Sequence, residues 1–588
     1  QGDSIMEYKW IKDTVHGYIK IEKDFLKIVN TPEFQRLKWI EQGSFRVLYP
    51  SARHDRFIHS LGVFGIAREC FDALMENLKK DLKLELDTSQ IEKWKYTFLY
   101  AALLHDIGHA PFSHTFESFF AGQHGINAKT LLLSNIQDAI KKLNKDTDQP
   151  CDIEKLDKSE VDLLNAFATA EGIDETQIEG FISDFLIEKG GIKPKIHEIL
   201  SATILLEKYK EFTTGTSLYG KVDLNTAARM VIGCTYYRFD SDEDLYGIEN
   251  VLIRLLNSSI LDVDKLDYII RDTKMSGYDN VSLDIKRLLR SVTAIKNEEG
   301  IYPAYDKKVL STIDNLFKAK QQENMWMISH PVVEYEKRLI MACVQEYDNS
   351  NELYIEKVFT KEALTQAGIC YNDLQYRLLS DIDILCDIKT LWNNSEQSVV
   401  NEYFNANMRK HPIWKSLYDY RFIWQKNSKG YSLEEIHDFF YPLINHLHNN
   451  NIFTFDENVY KEILQSNKEK IISAANIFKK LVTDFKMDFS FSILDMKNDF
   501  LSSVNEKNIY IFFDSGISDK NYDTYYGLIN ENSDDNDATV TNAENNFFYI
   551  YSKTKFTPEI LKNFVCLTIE EITKNKKKLN NQKRKARA

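Results

Sequence analysis

Tyr96-Thr-Phe-Leu-Tyr-Ala-Ala-Leu-Leu-His105-Asp106-Ile-Gly-His109-Ala-Pro-Phe-Ser-His114 decides the reading of the chain. An apolar run of helical length carries an adjacent imidazole and carboxylate to its own end. It then breaks at Gly108 and Pro111, with two more histidines close by. A run that is apolar on every side belongs to a buried helix. Neutral nitrogen beside anionic oxygen at the end of such a helix is half of a metal site. Two other His-Asp pairs, His54-Asp55 and His437-Asp438, do not close an apolar helix. The first reads as loop residues and the second as a surface pair on a helix.

The chain has 588 residues, 43% hydrophobic and 28% charged, enough for a large core and two or three structural units. No apolar run is long enough to cross a bilayer, and no secretory signal is seen, so a cytoplasmic protein with no membrane partner is expected. Seven scattered cysteines without a C-x-x-C pair read as reduced thiols. A net charge of −14 disfavours nonspecific nucleic-acid binding by the body. The exception is Lys574 to Ala588, with eight Lys/Arg and no acid. That basic tail reads as disordered, or as a tether to nucleic acid or an acidic partner.

Working outward, residues 8–30 read as strand pieces around His16-Gly17 followed by a helix to Val29. Thr31-Pro32 starts the next helix, with proline where its missing N–H does no harm. A further helix buries His59. Residues 120–190 form a long helical insertion, a candidate lid. Helices continue through His197-Glu198, residues 222–236 and residues 248–275, where Gly277 reads as a stop. Asn508–Phe513 and Phe547–Tyr551 read as strands around a polar loop, Glu531 to Asn546. The expected fold class is mainly α: a helical core over residues 8–390, a small α+β C-terminal region over 391–573, and the tail at 574–588.

The second informative stretch is Leu261-Asp-Val-Asp264-Lys265-Leu-Asp-Tyr268-Ile-Ile-Arg-Asp272. On a helix, Asp264, Lys265, Tyr268 and Asp272 share a face, while the rest of the helix is apolar. Buried charges need partners or a metal.

Taken in order, His59, His105-Asp106 and Asp264 resemble the H…HD…D signature of the HD phosphohydrolase superfamily. The flanks Arg56-Phe-Ile-His59-Ser-Leu-Gly, His105 to Glu117, His197-Glu198 and Asp262 to Asp272 resemble the deoxynucleoside triphosphate triphosphohydrolases. Those are the bacterial dGTPase-like enzymes and the catalytic domain of the SAM-and-HD-domain dNTPase. Thr31 to Gln42 resembles the segment ahead of their first ligand. The resemblance covers roughly residues 8–350 and makes the core an HD domain.

The resemblance implies a divalent metal held by His59, His105, Asp106 and Asp264, with two positions of an octahedron open. Mn, Mg or Fe suits that mixed set, Ni or Zn less so. It implies His114 as general acid with Glu117 orienting it, and His109, His197 and Glu198 beside the phosphates. Arg56 and Lys265 would neutralise the triphosphate; Gln42, Tyr268 and Asp272 would line the sugar pocket. The implied reaction cleaves a dNTP, dGTP among them, to deoxynucleoside and inorganic triphosphate, in dNTP pool control or antiphage defence. A homo-oligomer, dimer or tetramer, with a nucleotide activator between subunits is implied too. Asn30, Gln35, Arg36 and Lys38 are the candidates for that allosteric site.

The sequence departs from the pattern in three places. The spacing from His105 to His197 is long; Ile328 stands where relatives carry a tyrosine that excludes a 2′-hydroxyl; and Asn30 and Lys38 replace an Asp and an Arg of the guanine-activated relatives. Two alternatives stay open. One is an HD phosphohydrolase or phosphodiesterase for another nucleotide. The other is a nucleotide-sensing binding module with a vestigial site.

Overall fold

The computed structural model describes residues 8–81, 87–121, 131–145, 151–170, 173–186, 194–213, 216, 218–237, 243–258, 260–278, 283–297, 300–371, 374–392, 398–427, 430–466, 468–495, 509–512, 522–524 and 546–585. Strand β1 (Tyr8–Asp13) pairs antiparallel with β2 (Gly17–Glu22), and Gly17 supplies the left-handed turn at φ 79°. Helix α1 (Lys23–Val29) follows, then α2 (Pro32–Arg36). The Thr31 hydroxyl accepts the Phe34 N–H and caps α2, with Pro32 at its first position.

The body of the fold is α3 (Arg56–Asp81) against α4 (Thr88–Leu104). Asp55 caps α3 by accepting the Ile58 N–H at 2.9 Å, so that residue does more than fill a loop. Every side chain from Thr97 to Leu104 is buried, which accounts for the unbroken apolar run. The insertion supplies α5 (Ser134–Leu143), α6 (Lys158–Thr169) and α7 (Glu175–Leu186). Then come α8 (Ile196–Glu207), α9 (Leu224–Ile232) and α10 (Val263–Ser276). A buried ion pair, Asp184 Oδ2 to the Arg229 guanidinium at 2.9 Å, fixes α7 to α9. That anchorage does not fit the expectation of a lid. Gly277 ends α10 in the left-handed conformation, as expected.

Two compact units divide the chain. The first comprises residues 1–323, 352–386 and 500–533, and the second residues 324–351, 387–499 and 534–588. The expected boundary near 390 therefore becomes a division of several segments. In the first unit β3 (Val292–Asn297) and β4 (Gly300–Asp306) form a hairpin. Strand β5 (Tyr510–Phe512) lies parallel to β4, and β6 (Tyr522–Thr524) pairs antiparallel with β5. The strand expected at 508–513 thus belongs to the first unit instead of a C-terminal region. Helices α11 (Leu310–Glu323) and α12 (Asp381–Lys389) complete the elements used below.

In the second unit the helices Leu433–Asn449, Glu469–Phe485 and Pro558–Lys585 accompany a sheet whose central pair is Phe489–Asp495 with Asn546–Ser552. The latter strand contains the expected Phe547–Tyr551; most of the polar loop before it lies outside the described residues. His437 is buried and stacked on Tyr441, a core histidine where a surface residue was expected; only Asp438 of that pair is exposed. The last helix runs to Lys585, so most of the basic tail is helical where disorder was expected.

Two glycines set how closely the helices approach. A Cβ on Gly62 of α3 would fall 2.0 Å from Asp267 Oδ1 of α10, and one on Gly108 would fall 2.4 Å from the Ser201 backbone nitrogen of α8. Gly62→Ala is therefore expected to cost about 3 kcal/mol, the upper end of overpacking, read as a lower denaturant midpoint. An unchanged midpoint would mean that α3 and α10 do not meet at this glycine.

Candidate metal centre

Four side chains converge from α3, the end of α4 and the first turn of α10. His59 Nε2 lies 2.9 Å from Asp264 Oδ1 and 3.5 Å from Asp106 Oδ2. His105 Nε2 lies 3.5 Å from both Asp106 Oδ1 and Asp264 Oδ1. Ligand atoms about 2.1 Å from one ion stand about 3.0 Å apart when adjacent in an octahedron. The expected ligands are thus spaced like the edges of one coordination shell.

The donors fit a cation on three counts. His59 Nδ1 donates to Asp267 Oδ2 at 2.7 Å, and His105 Nδ1 to the Ala102 carbonyl at 2.9 Å. Both acceptors lack a hydrogen, so in the neutral rings the Nε2 lone pairs face inward. In the neutral rings neither buried Nε2 has a donor from which to accept. Finally, the carboxylates of Asp13, Asp106, Asp264 and Asp267 face two guanidinium groups, Arg56 and Arg271. Two negative charges are left, which a divalent ion balances. Without one, a proton takes its place: burial opposes the charge, but hydrogen bonds to Asp264 and Asp267 raise His59 to about 10.

Beside this set lies a second one. Glu117 Oε1 accepts from His114 Nδ1 at 2.6 Å and from His197 Nδ1 at 2.8 Å. The His109 ring stacks on His197 at 4.1 Å, and its Nε2 is 3.2 Å from Asp106 Oδ1, so the two sets meet there. Burial, with the Arg56 charge, holds His109 well below the usual imidazole range and keeps it neutral. Against burial, the charges of His197 and His114 keep Glu117 ionised. Desolvation draws His114 down to about 4, opposed by Glu117. The ring is 57% exposed, and water at that exposure limits desolvation, which argues for a value nearer the ordinary one. Glu198 accepts the Lys195 N–H and caps α8, 4.0 Å from His197, which makes it a structural residue of the helix start.

The expected substrate residues divide. Arg56 is buried and donates to Asp106 Oδ2 (2.8 Å), Ser113 Oγ (3.0 Å) and the Gln42 carbonyl (3.0 Å). It holds the Asp106 carboxylate, a role beside its expected one as a phosphate partner. Lys265 donates to Asp262 Oδ2 and the Ser258 carbonyl, so only part of its ammonium is left for an anion. Gln42 Oε1 is buried without a partner, and the Lys320 ammonium sits 4.2 Å over the Tyr268 ring.

Asp272 Oδ1 lies 2.5 Å from His54 Nε2 and also bonds Glu323, whose carboxyl burial raises to about 8. Neither partner of Asp272 was singled out from the sequence. His54 carried one signal, its place two residues before Arg56; Glu323, at the end of α11, carried none.

Of the allosteric candidates, Lys38 bonds Gln35, and Gln35 Nε2 donates to the Val29 carbonyl beside Asn30, while Arg36 stands apart. Arg36 is buried and bonds the carbonyls of Ile107, His109 and Leu379, which removes it from any nucleotide site. Lys38 Nζ donates to Gln35 Oε1 at 2.6 Å on the surface, and Asn30 is the exposed cap of α1. Ile328 closes a π turn, Asn324–Ile328, in the second unit.

Residues 56–166 match the family model described as HD domain. The chain carries an HD domain. The match begins at Arg56 and takes in His59, His105, Asp106, His109, His114 and Glu117; His197 and Asp264 join them only through the fold. Over that domain the chain is a relative of the HD-domain deoxynucleoside triphosphate triphosphohydrolases. It is 41% identical over 124 residues to deoxynucleoside triphosphate triphosphohydrolase SAMHD1 of Gallus gallus, covering 21% of this chain and 19% of that one. It is 38% identical over 135 residues to the uncharacterized protein YwfO of Bacillus subtilis, covering 23% and 29%. It is also 24% identical over 345 residues to the uncharacterized protein MJ1154 of Methanocaldococcus jannaschii, covering 58% and 51%. The chain thus spans less than a third of the first two relatives. No described helix is long and apolar enough to cross a membrane.

Metal and protons compete for the same nitrogens, so binding must release protons. With His59 at about 10 when no metal is bound, affinity for Mn2+ is expected to rise with pH through the neutral range. The expected slope is about tenfold per unit for each proton displaced, read by titration calorimetry in buffers of different ionisation enthalpy. Asp267→Asn is expected to weaken Mn2+ binding about 10- to 100-fold. A pH-independent affinity would remove His59 from the ligand set.

Proposed function

We propose that this chain is a metal-dependent dNTP triphosphohydrolase, releasing deoxynucleoside and inorganic triphosphate. One observation carries the reading: a cation-deficient His/Asp set shares Asp106 with a His114–Glu117–His197 network, through the 3.2 Å approach of His109. The relationship to dNTP triphosphohydrolases over the HD domain supports the substrate class. An ion held by His59, His105, Asp106 and Asp264 supplies a Lewis acid for a phosphoryl oxygen and lowers the pKa of a water.

The chain's own residues do the rest. Arg56 holds Asp106 against the ion. Glu117 accepts at His114 Nδ1, and against desolvation its charge favours the doubly protonated ring, whose transferable proton sits on Nε2. As the water, giving up one proton to solvent, adds to the α-phosphorus and the bond from that phosphorus to the 5′-oxygen breaks, His114 Nε2–H protonates the leaving oxygen, and the ring takes its proton back from solvent. His109, kept neutral, and His197 line the path of the phosphates. The buried Gln42 Oε1 suits a sugar hydroxyl that donates to it. Base preference within dNTPs, a nucleotide activator, assembly into an oligomer, and roles in dNTP pool control or antiphage defence belong to the same proposal.

Single dNTPs and dNTP pairs, incubated with Mn2+ or Mg2+, are expected to yield inorganic triphosphate. His114→Ala is expected to lower kcat about 10^2- to 10^4-fold. Pyrophosphate or monophosphate as product would move the chain to the other nucleotide phosphohydrolases.

A further inference from the structure

The turn between α4 and His114 carries backbone strain. Phe112 and Ser113 both adopt left-handed conformations, φ 54° and 51°, which residues with a Cβ hold only when their surroundings enforce it. The enforcing contacts come from a segment about 270 residues later. Asp381 Oδ1, at the first residue of α12, accepts the Phe112 N–H at 2.6 Å, and its Oδ2 accepts the Glu41 N–H at 3.0 Å. Ser113 Oγ donates to the Glu41 carbonyl at 2.6 Å, which closes a ring through Asp381, Phe112, Ser113 and Glu41. Arg56 bonds into that ring at Ser113 Oγ and the Gln42 carbonyl, and its remaining arm holds Asp106 Oδ2. Arg36 ties the preceding Leu379 carbonyl to those of Ile107 and His109.

A carboxylate at this place is costly. Asp381 is 5% exposed, and desolvation raises it to about 7 against two backbone hydrogen bonds and the nearby Arg36 charge. A neutral side chain would fill the same space without that cost, so the requirement is for two acceptor oxygens at once.

We infer that Asp381 is a positioning residue for the metal centre, setting the His105–His114 turn and, through Ser113 and Arg56, the aim of the metal ligand Asp106. It touches neither metal nor substrate. The inference rests on the metal-centre reading and not on the identity of the substrate.

Asp381→Asn separates this role from packing, because it keeps the volume but turns an amide donor toward one of the two N–H groups. Ile384→Ala, at a fully buried position on the same helix, disturbs packing and leaves the ring intact. Both variants are compared with the full-length wild type by Mn2+ titration calorimetry and by denaturant midpoint. The expected result is Mn2+ affinity weaker by about tenfold or more in Asp381→Asn, with Ile384→Ala lowering the midpoint but binding Mn2+ within about twofold of wild type. Where triphosphate release is measurable, kcat should fall in Asp381→Asn with KM nearly unchanged.

Wild-type affinity in Asp381→Asn overturns the inference, as does an equal loss of affinity in Ile384→Ala. If Asp381→Asn fails to fold, Phe112→Gly decides. Glycine relieves the left-handed strain and loosens the ring, so it too should weaken Mn2+ binding; unchanged binding overturns the inference. A wild type that binds no Mn2+ overturns the metal reading as well, whereas Mn2+ binding without triphosphate release rejects only the proposed reaction.

Discussion

A fully buried carboxylate, Asp267, accepts from His59 Nδ1, from His16 Nε2 and from two nitrogens of Arg271. Charge in so dry a place is tolerable only when every lone pair is used. Arg271 extends the network to Asp13 at the end of β1. One ion-pair chain thus joins the N-terminal hairpin, α3 and α10, and it turns the His59 ring so that Nε2 faces Asp106 and Asp264. The closeness of α3 to α10 follows from the same contact, because the Gly62 position has no room for a methyl group beside Asp267. Helix packing and ligand orientation are here one constraint.

The electrostatics of the two neighbouring sets differ in kind. The His59–His105–Asp106–Asp264 set is short of positive charge and has unpartnered nitrogens aimed inward. The His114–Glu117–His197 set is internally satisfied, each imidazole nitrogen facing Glu117 being matched by its oxygen. The first is organised around something to be bound. The second is organised to keep protons in defined places. Asp106 and His109 link them, so a change of charge at the ion is felt at the proton-bearing rings.

What could be read from the sequence was local. The buried character of α4 followed from its unbroken apolar run and the start of α2 from Thr31-Pro32, whereas the helix expected over residues 248–275 is interrupted before Asp262, which caps α10. What could not be read depended on burial and on pairing across the fold. Arg36 looked like an anion partner because an arginine reads the same whether it faces solvent or a ring of carbonyls. Glu323 and Asp381 gave no signal, since each acquires meaning only from a partner contributed by a distant segment. His437 was misread for the same reason: a histidine beside an aspartate says nothing of what its ring meets in space.

Strand β5 has a bearing on how the molecule is made. The chain leaves the first unit after Glu323, returns from Glu352 to Cys386, and returns again with β5 and β6. During synthesis His59, His105, Asp106 and Asp264 emerge well before Asp381 and the parallel partner of β4. Until Tyr510 to Phe512 have appeared, the sheet of this unit has an unpaired edge at β4. A nascent chain is therefore exposed at that edge while the residues between Asp306 and Tyr510 are made, and closing this sheet waits on a segment far along the polypeptide.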